Sequence, residues 1–67
     1  MTASYKKLWK LLIDRDLMKK DLERMAGVSH YTMNKLTRGE NVTMDILGRI
    51  CKALGCKIDD IMEFVDE

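Results

Sequence analysis

His30, Tyr31, Asn34 and Lys35 recur at helical spacing in a stretch that also carries Met33 and Leu36. A helix over these residues turns the apolar pair to one side and the four polar side chains to the other. Imidazole, phenol, carboxamide and ammonium together offer donors and acceptors suited to base edges and phosphate oxygens. The chemistry on offer is recognition. The chain has one His, no Gly-rich phosphate loop and too little length to wall a sizeable pocket, all of which weigh against an enzyme. Cys51 and Cys56 with that single His cannot complete a four-ligand zinc set. They read as reduced, largely buried thiols, and no cofactor, metal or small-molecule ligand is expected.

The recognition stretch must be held by other elements, and the punctuation is visible. Pro is absent, and the four Gly stand at 27, 39, 48 and 55. The spacing predicts an all-α domain of five short helices spanning 1–67. The first, about 4–16, has Ser4 as N-cap and Tyr5, Leu8, Trp9, Leu12 and Ile13 on its inner face. The second, about 19–26, turns Leu22, Met25 and Ala26 inward and ends at Gly27, which tolerates a left-handed C-terminus. Ser29 caps the third helix, which Gly39 stops. Thr43 caps a fourth, about 44–54, with Leu47, Ile50, Cys51 and Leu54 inward and Gly55 as terminator. Gly48 inside it costs about 1 kcal/mol against Ala unless a neighbouring backbone needs the room. A last helix near 59–65 carries Ile61, Phe64 and Val65 on one side. The six Met are expected mostly to fill core gaps.

Helices two and three are joined by only Gly27-Val28-Ser29. Joined so tightly they must cross steeply, which lets the third project its N-terminal turns into a major groove about 12 Å wide. Net charge is only +1, but residues 1–38 hold nine basic against four acidic side chains, and residues 39–67 hold three against seven. Lys19, Lys20, Arg24, Lys35 and Arg38 lie in or beside the two-helix unit, so charge is polarised toward its face. Lys19 opens the second helix, where its ammonium and the free N–H groups could together hold a phosphate. Lys20, Ser29 and Asn41 are further phosphate candidates. Taken singly, His30 and Tyr31 would be ordinary solvated residues; inside this unit they read as contacts.

The ordered set Leu17-x-x-x-x-Leu22, Ala26-Gly27-Val28-Ser29, Met33-x-x-Leu36-x-x-Gly39-x-Asn41-Val42 and Leu47-x-x-Ile50-Cys51-x-Ala53-Leu54-Gly55 resembles the Cro/C1-type (XRE) helix-turn-helix family over about residues 5–64. The resemblance implies a compact, stand-alone bacterial regulator with a lambda-repressor-like fold. It places His30, Tyr31 and Lys35 at base-reading positions, with Thr32 and Asn34 as secondary contacts. Lys19, Arg38 and Asn41 fall at phosphate-contacting positions. It also implies pairing through the last helix, at Ile61, Met62, Phe64 and Val65, giving a homodimer, at least on DNA, that matches a palindromic operator.

Departures from the family pattern matter too. Glu23 stands where a small Ala is usual, so it either alters the helix crossing or turns outward. Leu12 and Thr37 occupy the positions of an Arg and Glu pair, which an apolar contact could replace. Met18 and Lys57 stand where a capping hydroxyl is usual, removing about 1 kcal/mol of capping at each unless something compensates. The expected function is a cytoplasmic, sequence-specific binder of double-stranded DNA that represses by occlusion, since no effector domain is visible. The competing reading is a protein-interaction module of the same fold, antitoxin- or antirepressor-like, supported by the near-zero net charge. No apolar run approaches membrane-spanning length.

Overall fold

A computed structural model of the chain describes residues 2–66, so Met1 and Glu67 lie outside the described residues. The order is β1 (Thr2–Ser4), α1 (Lys6–Asp14), α2 (Lys19–Ala26), α3 (His30–Thr37), α4 (Met44–Leu54), a single 3-10 turn (Ile58–Asp60) and β2 (Glu63–Val65). Among the described residues there are thus four α-helices where the periodicity predicts five. The segment expected as the last helix is instead a 3-10 turn followed by a strand.

The strand pairs antiparallel with β1, Thr2 opposite Val65, Ala3 opposite Phe64 and Ser4 opposite Glu63. The physical reason is local. Phe64 and Val65 favour a pleated backbone, and a segment as short as 59–65 gains too little from helix propagation to offset the cost of nucleation. Pairing across the fold decides between the two options. Ser4 is consequently a strand residue rather than the N-cap of α1, which begins at Lys6 after a buried Tyr5 and has no side-chain cap.

The core comprises Tyr5, Leu8, Leu12, Leu22, Val28, Met33, Leu36, Leu47, Ile50, Leu54 and Ile61. Each expected inner face supplies its share, with instructive exceptions. Ile13 is 73% exposed, because it sits a full helical step from Leu12 and only one of the two can point inward. Met25 and Phe64 are also exposed, and Trp9, Ala26, Cys51, Cys56 and Val65 are half-buried. Of the described methionines only Met33 is fully buried; Met18, Met25 and Met44 face solvent. Cys51 and Cys56 are unpaired thiols, and burial, then the neighbouring Cys51, pushes the Cys56 thiol up.

Helix ends follow two schemes. Ser29 Oγ accepts from Thr32 N–H at 3.1 Å and Thr43 Oγ1 from Ile46 N–H at 3.3 Å, as their residue types predict. At Met18 and Lys57, where no hydroxyl is available, the carboxylate three residues on takes over: Met18 N–H donates to Asp21 Oδ2 at 2.8 Å, and Lys57 N–H to Asp60 Oδ2 at 3.0 Å. These are the reciprocal half of a capping box, and they compensate part of the missing cap. Between α1 and α2 the chain turns through Asp16 at φ 56°, a left-handed conformation that aspartate tolerates better than most residues.

Long side chains tie the helical unit together. The Arg15 guanidinium donates to the Leu54 carbonyl at the end of α4. Lys7 Nζ donates to Asp59 O at 3.2 Å and lies 3.7 Å from Glu63 Oε2, linking α1 to the turn and β2. No helix is long and apolar enough to cross a membrane among the described residues.

Gly48 is exposed in the middle of α4, and a Cβ built there meets nothing within 4 Å. No neighbouring backbone needs the room. Gly48→Ala is therefore expected to stabilise the protein by about 1 kcal/mol, raising Tm by about 4–8 °C. Thermal melts followed by circular dichroism check this, and an unchanged or lower Tm would contradict it.

Candidate nucleic-acid interface

The α2–α3 unit is made by three residues with three different tasks. Gly27 adopts φ 67°, ψ 35°, closing α2 with its N–H on Glu23 O. Val28, 7% exposed, drives a side chain into the core, and its N–H also donates to Glu23 O at 3.1 Å. Ser29 starts the next helix. From the far side Arg49 of α4 donates to Gly27 O at 3.3 Å while its Nε sits 3.0 Å from Asp45 Oδ2. The turn is thus held by its own backbone, by a buried side chain and by a neighbouring helix. Arg49 was not legible as a site residue; an Asp and an Arg four apart on a helix indicate only a local ion pair.

With Met33 and Leu36 each 1% exposed, the opposite face of α3 is fixed outward. His30, Tyr31 and Asn34 are exposed there, Lys35 and Thr32 half-buried. Lys35 Nζ lies 5.4 Å from the centroid of the Tyr31 ring, one turn away on the same face. Tyr31, Thr32 and Lys35 line a groove of about 350 Å³ with Asn41, Val42, Thr43 and Ile46, so α3, the α3–α4 loop and the start of α4 form one surface. Thr32 is partly spent in the cap: its N–H and its hydroxyl oxygen both meet Ser29 Oγ.

His30 is not free. Its Nδ1 lies 3.0 Å from Glu23 Oε2 of α2, with the ring 78% exposed and the Glu23 side chain 21%. The Glu23 side chain therefore turns toward the edge of α3. Lys19 is also placed by contacts: Nζ donates to Thr37 Oγ1 at 3.1 Å and lies 4.5 Å over the Trp9 ring. Thr37 in turn donates to Met33 O at 3.0 Å. At the two positions where the family has an Arg and Glu pair, the Thr37 hydroxyl takes these polar partners and Leu12 is buried in the core.

The ion pairs sort the basic residues. Arg24 is paired with Asp21 at 3.2 Å and Arg38 with Glu40, whereas Lys19, Lys20 and Lys35 have no carboxylate partner among the described residues. Lys20 with Lys19 borders an apolar groove of about 460 Å³ floored by Trp9, Leu12, Ile13, Leu17 and Met18. The expected pairing residues are split. Ile61 is 0% exposed in the chain's own core and so offers no surface for a dimer contact, Met62 and Val65 are half-buried, and Phe64 is 65% exposed on β2.

A family model described as the Cro/C1-type HTH DNA-binding domain matches residues 7–67. Among solved structures, one titled "Crystal structure of transcriptional regulator VanUg, Form II" is similar at 48% sequence identity and a TM-score of 0.94, covering 98% of this chain and 88% of that one. No curated protein matches.

Ser29→Ala should destabilise the protein by about 1 kcal/mol in urea denaturation, and Ser29→Asp, which keeps a capping oxygen, should lose only a fraction of that. Equal losses would show that the hydroxyl cap does not hold α3.

Proposed function

The chain belongs to the Cro/C1-type helix-turn-helix DNA-binding family, and on that premise we propose that it regulates transcription by seating α3 in the major groove of duplex DNA. The observation that carries this reading is the outward face of α3, where His30, Tyr31, Asn34 and Lys35 project while Met33 and Leu36 anchor the opposite side. A helix with its side chains is about as wide as that groove. His30, Tyr31 and Lys35 read bases, with Thr32 and Asn34 beside them.

Phosphates are held by Lys19 and Lys20 at the start of α2, by Ser29 at the start of α3, and by Arg38 and Asn41 after it. Lys19 and Lys20 lead that set, because they have no carboxylate to leave, whereas Arg38 must exchange Glu40 for a phosphate. Repression by steric occlusion fits a unit of this size. Two copies on a palindrome would place their α3 helices about 34 Å apart, with Phe64, Met62 and Val65 as the contact between them.

Fluorescence anisotropy against DNA from upstream of the protein's own gene and against scrambled DNA, from about 50 to 200 mM salt, tests the reading. Binding should be selective and fall steeply with salt. Lys19→Ala should weaken both DNAs alike and reduce the salt slope by about one, whereas Lys35→Ala should cost about 1–3 kcal/mol on the selected sequence and less on the scrambled one. Equal losses for Lys35→Ala would remove the base contact. Binding indifferent to salt would turn the reading to a protein partner.

A further inference from the structure

Glu23 lies behind His30 rather than beside it. The ring stands 78% exposed while the carboxylate under its edge is 21% exposed, so a ligand approaching α3 meets the imidazole and not the acid. The contact is specific to one ring atom: Nδ1 to Oε2, 3.0 Å. A carboxylate accepts hydrogen bonds and donates none, so Nδ1 must carry the proton. In the neutral ring the outward nitrogen, Nε2, is then left as a lone pair. Glu23 is well placed to impose this, because its own carbonyl closes the α2–α3 turn by accepting from Gly27 and Val28.

We infer that Glu23 is a specificity-determining positioning residue, which fixes the neutral His30 ring with Nδ1–H inward and Nε2 as an outward hydrogen-bond acceptor, and so directs it to a base that offers an amino group. In the major groove those bases are adenine, through N6, and cytosine, through N4; guanine and the thymine oxygen present acceptors at the corresponding place and have nothing to give. The inference rests on the DNA-reading role proposed for α3 and deepens it. It assigns one member of the contact set a hydrogen-bond role, and it assigns that role to a residue that does not touch DNA.

The test is selection of the intact protein on a pool of randomised duplexes at about pH 8.5, well above the ordinary imidazole range. His30→Ala identifies the position read by His30 as the one whose preference is lost. The wild-type protein should hold that position to A or C. Glu23→Gln should admit G and T there, because an amide can accept from Nδ1–H or donate to a bare Nδ1 and so permits both tautomers, lowering discrimination about tenfold. Glu23→Ala should do the same, and every other position should keep its preference in both variants. In a His30→Ala background neither Glu23 substitution should change anything further. The inference is overturned by a wild-type preference for G or T at the His30 position, by Glu23 variants that leave the position intact, by an effect that persists without His30, or by His30→Ala altering no position. A wild-type protein that selects no sequence overturns the proposed function itself, and this inference with it, and reads differently from any of these.

Discussion

Everything outward-facing on α3 depends on a three-residue turn that cannot be lengthened or rotated without exposing core. Gly27 supplies a backbone conformation that side-chain-bearing residues resist, Val28 is buried, and Ser29 holds a first-turn N–H. These requirements fall on successive residues, so the relation between α2 and α3 has little freedom left. Once it is set, Met33 and Leu36 have only one direction in which to be buried, and the polar residues have only the other. The Arg49 contact on Gly27 O extends the same constraint to α4.

How much of this was legible follows from which residues carry local signals. Ser29, Thr43, Gly27 and Gly55 act within a turn of themselves, and the boundaries of α2, α3 and α4 could be read from them. Met18 and Lys57 look like missing caps because the compensating Asp21 and Asp60 act through side chains, a contact that residue type alone does not announce. The β1–β2 pair was not legible for a stronger reason. Three residues at either end of the sequence carry too short a pattern to distinguish a strand from a helical turn, and the pairing that decides lies more than fifty residues away. The same limit explains Ile61: read as the face of an amphipathic helix it looks free to pair, but directly after the 3-10 turn it is drawn into the core.

The candidate site was legible as a set and less so as a network. Residue type and spacing gave His30, Tyr31, Asn34 and Lys35 a common face. Partners on other elements were not legible, Glu23 under His30 and Thr37 and Trp9 around Lys19, and Glu40 takes Arg38 within the same loop. Those partners change what the charges can do. Two of the cations that polarise the sequence toward one face, Arg24 and Arg38, are locally neutralised, which leaves Lys19, Lys20 and Lys35 to carry that face's positive field.

The small sheet has a consequence for how the molecule holds together over time. Two strands of three residues are marginal alone in water and are stabilised here by what they lie against. Their pairing also closes the longest loop in the described chain, so it is gained late and lost early relative to contacts among α2, α3 and α4. The molecule should therefore open in layers: amide protons in Thr2–Ser4 and Glu63–Val65 are expected to exchange first, and those around the buried Leu22, Met33 and Ile50 only with global unfolding. α3 sits on the slow side of that boundary, so its outward face should outlast fluctuations that undo the sheet.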